Sequence, residues 1–329
     1  MPNNDMLLEI QDLSLGFGTK QNVTPILDKV SFSVARNEIV AVVGESGCGK
    51  SVTAMSVMRL LRTPPACYLG GRITFCENDL LTMPPKELRK IRGDRISMIF
   101  QEPLTSLNPV LTIGDQIGEV LTLHGKYTRK QLREKCIELL DKVRIPSPAA
   151  RLKNYPGQFS GGMRQRIMIA MAVACEPELL IADEPTTALD VTIQAQILKL
   201  MKRLQENNKM SIMLITHDLG VVAEFAQRVV VMYAGQVVET ANTLELFQNP
   251  IHPYTQGLLR SLPGLHETGK ILRTIEGSVP GAGSMPAGCR FQPRCDQAMP
   301  CCAESEPPTV QLSNHRSCKC HRLSGKESQ

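Results

Sequence analysis

The sequence predicts an α/β fold with a largely parallel sheet, and three observations predict it. The first is a continuous β-branched run, Ile39–Val43, followed by a Gly-rich turn at 44–49 and a helix-patterned stretch at 50–61. A run without alternation is what a strand covered on both faces carries. The second is the alternation of strand-like and helix-like segments at 178–183, 190–206, 211–216, 219–227 and 229–233, the order that builds a parallel sheet. The third is size, since 329 residues suffice for a sizeable core and for two domains.

Taken in order, residues 7–43 read as strands, with Leu8, Ile10 and Leu13 to Leu15 first and a partly alternating stretch at 26–34. The 44–61 segment completes a strand–loop–helix unit. Residues 70–101 read as strands separated by the charged stretch 86–95. Between 103 and 165 the pattern turns helical. There Thr128 is placed to cap a helix on which Leu132, Cys136, Leu139, Leu140 and Val143 recur at three- to four-residue spacing. After about residue 250 the chain is rich in Pro and Gly and poor in apolar runs, which predicts a separate, small and irregular C-terminal extension. The expected domains are therefore 6–250 and 251–329.

Composition narrows the function. Hydrophobic residues make up 42% and charged residues 21%, which excludes a wholly disordered chain. A net charge of +5 from 37 basic and 32 acidic residues is too mild for a nucleic-acid footprint. No run approaches the 18 apolar residues of a membrane span, and Asp5 stands where a signal peptide would be basic. The expectation is a cytosolic chain that reaches any membrane through a partner. Of its 11 cysteines, six fall at 289, 295, 301, 302, 318 and 320. The other five are expected to be reduced, small residues, most of them structural.

The turn at 44–51, Gly-Glu-Ser-Gly-Cys-Gly-Lys-Ser, fits the G-x-x-x-x-G-K-[ST] pattern between a buried strand and a helix. Gly44, Ser46, Gly47 and Gly49 let backbone N–H groups face phosphate oxygens, and the helix start adds its dipole. Lys50 is expected to bridge β- and γ-phosphates and Ser51 to hold Mg²⁺. The apolar run 179–182 delivers Asp183 and Glu184 at its end, where α/β sheets bind ligands. Asp183 would order the Mg²⁺ shell, and Glu184 would polarise an attacking water. An apolar strand ending in an exposed acidic turn gives the same string, so this pair gains its meaning from the loop at 44–51.

The string Phe159-Ser160-Gly161-Gly162-Met163-Arg164-Gln165-Arg166 precedes a helix-like run, and Ser160 with two glycines at a helix start makes a second anion site. This string resembles the signature motif of ABC-transporter ATPases, with Met163 where many members carry Gln. The remaining family elements follow in order. Gln101 resembles the Q-loop glutamine, Ala188-Leu189-Asp190 the D-loop and His217 the switch histidine, while Phe17 lies where an aromatic stacks on adenine. The resemblance covers roughly 6–250. It implies a P-loop NTPase ABC cassette, a mixed-sheet core with a helical subdomain at about 103–165. It also implies ATP and Mg²⁺ as ligands and hydrolysis of ATP to ADP and phosphate. In that family Gln101 senses the metal and couples to the membrane partner, and His217 contacts the γ-phosphate. Ser160, Gly161 and Gly162 serve the ATP held by a second ATPase subunit, identical or paralogous.

A narrower resemblance lies at Asn249-Pro250-x-His252-Pro253-Tyr254-Thr255 and at Gly288-Cys289-Arg290-Phe291-x-Pro293-Arg294-Cys295, followed by Cys301-Cys302 and Cys318-Lys319-Cys320-His321. These strings are similar to the C-terminal region of ATPases of oligopeptide and dipeptide importers. The resemblance implies peptide uptake, with nickel or a metal chelate as the alternative cargo. It also implies two transmembrane permease subunits, an extracytoplasmic substrate-binding protein and a peripheral place on the cytoplasmic face of the inner membrane. Cys289, Cys295, Cys302 and Cys320 then become the ligand set of a [4Fe–4S] cluster, with Cys301 and Cys318 as rivals and with zinc or unligated thiols as alternatives. A soluble ABC ATPase acting on ribosome or DNA is the rival class, disfavoured by the absence of a second cassette or a long heptad insertion. A P-loop kinase or GTPase is disfavoured by the signature string and by the lack of N-K-x-D.

Overall fold

Two long strands, β1 (Met6–Thr19) and β2 (Asn22–Ala35), open the fold. Leu8, Ile10, Leu13 and Leu15 of β1 are buried, as the apolar spacing requires. They are followed by β3 (Ile39–Val43), buried at every residue, then β4 (Ala66–Phe75) and β5 (Asn78–Asp79). After these come β6 (Ile96–Ile99), β7 (Leu179–Asp183), β8 (Ser211–Ile215), β9 (Arg228–Tyr233) and β10 (Gln236–Asn242). The last pair is β11 (Thr309–Ser313) and β12 (Arg316–Lys319). The longer helices are α1 (Lys50–Val57), α2 (Pro85–Ile91), α3 (Ile113–His124), α4 (Arg129–Lys142) and α5 (Gly161–Ala172). They continue with α6 (Val191–Asn208), α7 (Leu219–Phe225), α8 (Thr243–Gln248) and α9 (Pro253–Arg260). The computed structural model describes residues 5–19, 22–101, 106–187, 189–261 and 275–323. These fall into two compact units.

One unit takes its described residues from Met1–Leu7, Val34–Glu38 and Thr82–Leu214. Its strands neighbour one another in the order β8-β7-β6, and β6 runs parallel to β7 with Ile96 opposite Leu179. At the start of β7 the Glu178 carboxylate bridges Arg95 at 2.6 Å and Arg36 at 2.9 Å. The helices α3 and α4 supply the expected helical character. Thr128 caps α4 in a capping box with Gln131, and Cys136, Leu139 and Leu140 form its buried stripe.

The other unit takes its described residues from Leu8–Ser33, Ile39–Leu81 and Ile215–Gln329. It holds an antiparallel sheet ordered β2-β1-β4-β5, with Leu8 opposite Phe75 and Phe17 opposite Ala66. It also holds the strand order β11-β12-β10-β9-β3. There β3 and β9 are parallel, whereas β10 is antiparallel to both β9 and β12.

Three expectations are adjusted. The sheets are mixed, as the cassette resemblance implies, whereas the strand–helix alternation reports only the parallel pairs. The charged stretch at 86–95 is largely the helix α2, whose two buried residues, Leu88 and Ile91, leave too little periodicity to read. The C-terminal region is not wholly irregular. Its β12 joins β10 with Glu239 opposite Cys318, and β11 pairs with β12. Glu239, itself fully buried, accepts the backbone N–H groups of Ile251 and His252 at 2.9 Å each.

Candidate functional site

In the unit that holds β3, the loop at 44–51 leads from that strand into α1. Gly44, Gly47 and Gly49 all have positive φ, at 151°, 81° and 103°, conformations that side chains rarely adopt. A Cβ on Gly44 would lie 2.2 Å from the Met232 carbonyl oxygen, so the loop runs hard against β9. Lys50 is buried. Its Nζ donates to the carbonyls of Gly44 at 2.8 Å and Glu45 at 3.1 Å, which places the ammonium inside the curl of the loop. Ser46 and Gly47 are exposed and Ser51 is half-buried at the start of α1, where free N–H groups and the helix dipole favour an anion. Cys48 is fully buried, and burial raises its thiol pKa. Phe17 lies half-buried on β1, and His217 is exposed just after Thr216, whose N–H donates to the Val42 carbonyl at 3.3 Å.

In the unit that holds β7, the strand buries Asp183 at its end and turns sharply at Glu184. Glu184 has φ +46°, a left-handed conformation that a side-chain-bearing residue adopts at a cost. Its Oε2 accepts from Gln101 Nε2 at 3.1 Å and from Thr187 Oγ1 at 2.8 Å. Two residues singled out separately on sequence grounds, 83 positions apart, thus meet, a contact that the sequence reading did not foresee. Thr187 was not singled out from sequence, because a Thr three residues after an acidic pair carries no motif of its own.

In the same unit Ser160 caps α5, its Oγ accepting the Met163 N–H at 3.4 Å. Gly161 is exposed at the helix start. A Cβ on Gly162 would lie 2.8 Å from Ile193 Cγ2 of α6, so glycine is required there by packing as well as by motif. Asp190 caps α6 through the Ile193 N–H at 2.9 Å. Ala188, part of the D-loop string, lies outside the described residues.

The C-terminal cysteines separate into two groups. Cys289, Cys295, Cys302 and Cys320 line one small cavity together with His252, Phe291 and His321. Burial raises the Cys295 thiol to about 11, with Cys289 and Cys320 adding to it. Burial also raises Cys289 and Cys320, again with other thiols of the set contributing. Cys318 is buried on β12 opposite Glu239, and Cys301 is only half-buried. The four thiols are gathered, yet among the described residues no group of three or more His, Cys, Asp or Glu is arranged to hold a metal ion. Burial pulls His252 down to about 4, so its ring is neutral near pH 7 and its Nδ1 accepts the Tyr254 N–H at 3.1 Å.

Comparisons with known proteins identify a family. A family model described as ABC transporter matches residues 27–187, and one described as oligopeptide/dipeptide transporter, C-terminal region, matches 238–302. The oligopeptide transport ATP-binding protein AppD of Bacillus subtilis is 50% identical, over 95% of this chain and 96% of its own. The dipeptide transport ATP-binding protein DppD of the same organism is 51% identical, over 94% of this chain and 93% of its own. Among solved structures, the dimeric post-hydrolysis ATP-binding cassette MJ0796 bound to ADP and Pi aligns with a TM-score of 0.64 at 26% identity. That alignment covers 72% of this chain and 99% of the cassette.

Proposed function

The chain belongs to the ABC transporter family, among the ATP-binding subunits of oligopeptide/dipeptide transporters, and on that footing we propose how its residues divide the work. It is an ATPase that energises peptide uptake. The observation that carries the catalytic assignment is Glu184, held in a left-handed turn with one carboxylate oxygen fixed by Gln101 and Thr187. A general base must be oriented before it can take a proton from water. Glu184 is therefore the base, and Gln101 both orients it and reports metal occupancy to the membrane partner through the helical region at 103–165.

The phosphate loop carries the substrate. Backbone N–H groups around Gly44, Ser46, Gly47 and Gly49 receive the phosphates, and Lys50 moves from the Gly44 and Glu45 carbonyls onto the β- and γ-oxygens. Ser51 and Asp183 supply the oxygen donors that Mg²⁺ takes; when bound, the ion neutralises charge on the triphosphate. Asp183 fits this role because it is a buried carboxylate at the end of an apolar strand. His217 contacts the γ-phosphate and Phe17 stacks on adenine. Ser160, Gly161 and Gly162 serve the ATP of a second ATPase subunit, since one chain carries one phosphate loop and one signature. The nucleotide-binding part is 6–250, and 251–329 is an extension to it.

The chain works with transmembrane permeases. It lies peripherally on the cytoplasmic face, the permeases receive cargo captured by an extracytoplasmic binding protein, and the chain does not act on nucleic acid. No helix among the described residues is long and apolar enough to cross a membrane. Peptide is favoured over nickel as cargo because AppD and DppD are named for oligopeptide and dipeptide transport. Purifying a tagged chain from native membranes tests this reading. Co-purification with two membrane-spanning subunits is expected; recovery without any membrane protein would reject it.

Cys289, Cys295, Cys302 and Cys320 are the proposed ligands of a [4Fe–4S] cluster. Their support is the shared cavity, in which burial first and the neighbouring thiols second raise the pKa values of Cys289 and Cys320. Anaerobically purified protein is expected to contain iron that Cys302→Ser removes and Cys301→Ser leaves in place. Iron-free protein, or equal loss in both variants, would reject this assignment.

A further inference from the structure

Glu45 is the second residue of the phosphate loop, and a carboxylate there stands beside the place where a triphosphate is to bind. Like charges raise each other's energy steeply where solvent is partly excluded, so an uncompensated Glu45 opposes the ligand. The structure compensates it from the far end of the chain. Arg294, with a side chain only 6% exposed, donates from Nη1 to both Glu45 oxygens at 3.0 Å. The guanidinium has little freedom to leave. Its Nε donates to the Glu276 carbonyl at 2.9 Å, its Nη2 to the Ile275 carbonyl at 3.3 Å, and its centre lies 5.8 Å from the Tyr233 ring centroid. A second contact from the same region takes the loop backbone, where the Glu45 N–H donates to the buried hydroxyl oxygen of Tyr254 at 2.9 Å. Tyr233, Tyr254 and Phe291 pack ring to ring beneath, with centroids 4.7 to 5.4 Å apart.

We propose that Arg294 is a positioning residue for ATP binding, neutralising Glu45 and tying its carboxylate to the C-terminal region, which thereby sets the charge of the phosphate loop. This rests on reading 44–51 as the ATP loop. The pair is charge-assisted and part-buried, with one guanidinium nitrogen shared between both carboxylate oxygens.

The test measures binding of a non-hydrolysable ATP analogue to the full chain by calorimetry, with thermal melts reporting that each variant is folded. Arg294→Gln is expected to weaken binding about tenfold, the equivalent of one charge-assisted contact, and adding Glu45→Gln to it is expected to restore affinity to within about twofold. A purely structural Arg294 would not be rescued by removing the charge it neutralises. Glu45→Gln alone, the milder change, is expected to bind at least as tightly as the unaltered chain. Binding by Arg294→Gln within twofold of the unaltered chain, no rescue in the double variant, or weaker binding by Glu45→Gln would each overturn the proposal. Failure of the unaltered chain to bind the analogue would instead reject the loop assignment itself.

Discussion

Gln101 Nε2 donates to Glu184 Oε2 at 3.1 Å, and this bond fixes a carboxylate whose backbone is already held at φ +46°. Neither feature has a packing reason, since Gln101 is exposed and Glu184 is half-buried. The proposed role of Glu184 as the base rests on this orientation of its carboxylate.

Gly162 supports a stability prediction. Replacing it with Ala places a methyl 2.8 Å from Ile193 Cγ2, and overpacking of that kind costs about 1–3 kcal/mol. Gly162→Ala is expected to unfold at lower urea, and Ile193→Ala in the same chain is expected to recover part of the loss by removing the opposing methyl. Additive destabilisation of the two changes would contradict the contact.

Acid stability follows from Glu178. Burial alone would raise its pKa, but hydrogen bonds from Arg95 and Arg36 outweigh that and lower it. A carboxylate with a depressed folded-state pKa adds stability above its unfolded value, near 4.5, and loses it as pH falls through the folded value. Glu178 is about a third exposed, so the contribution is discounted to about 1 kcal/mol. Denaturant unfolding of the unaltered chain and Glu178→Gln is expected to differ by that amount between pH 6 and 8. The gap is expected to close below pH 4.5; one that widens in acid would reverse the sign.

Much of this was legible in the residues. The continuous run at 39–43, the glycine spacing at 44–49 and the acidic pair at 183–184 each encode a local conformation, so loop, helix start and strand end appear where the pattern puts them. Thr128 likewise announces its helix through a capping box. What stayed hidden depends on long-range pairing. The strands β11 and β12 are short and mostly exposed or half-buried, without the alternation that marks a half-buried strand. They exist because β10 offers an edge. Arg294 stands in a recognisable string, yet its partner is 249 positions away and no local rule connects them. Which cysteines share a cavity is a matter of tertiary packing: Cys302 and Cys320 line it with Cys289 and Cys295, whereas Cys318 is buried opposite Glu239. Cys67, Cys76 and Cys175 are half-buried rather than core.

The most direct test of the ATPase assignment is Glu184→Gln, with ATP affinity and ATP turnover measured on the same preparation. The amide keeps the size and the contact to Gln101 while losing the proton acceptor. Affinity is expected to stay within about threefold, and turnover to fall about 10²- to 10⁴-fold, the usual share of a general base, with the ATP-bound closed pair accumulating. Turnover equal to that of the unaltered chain would contradict the role of Glu184.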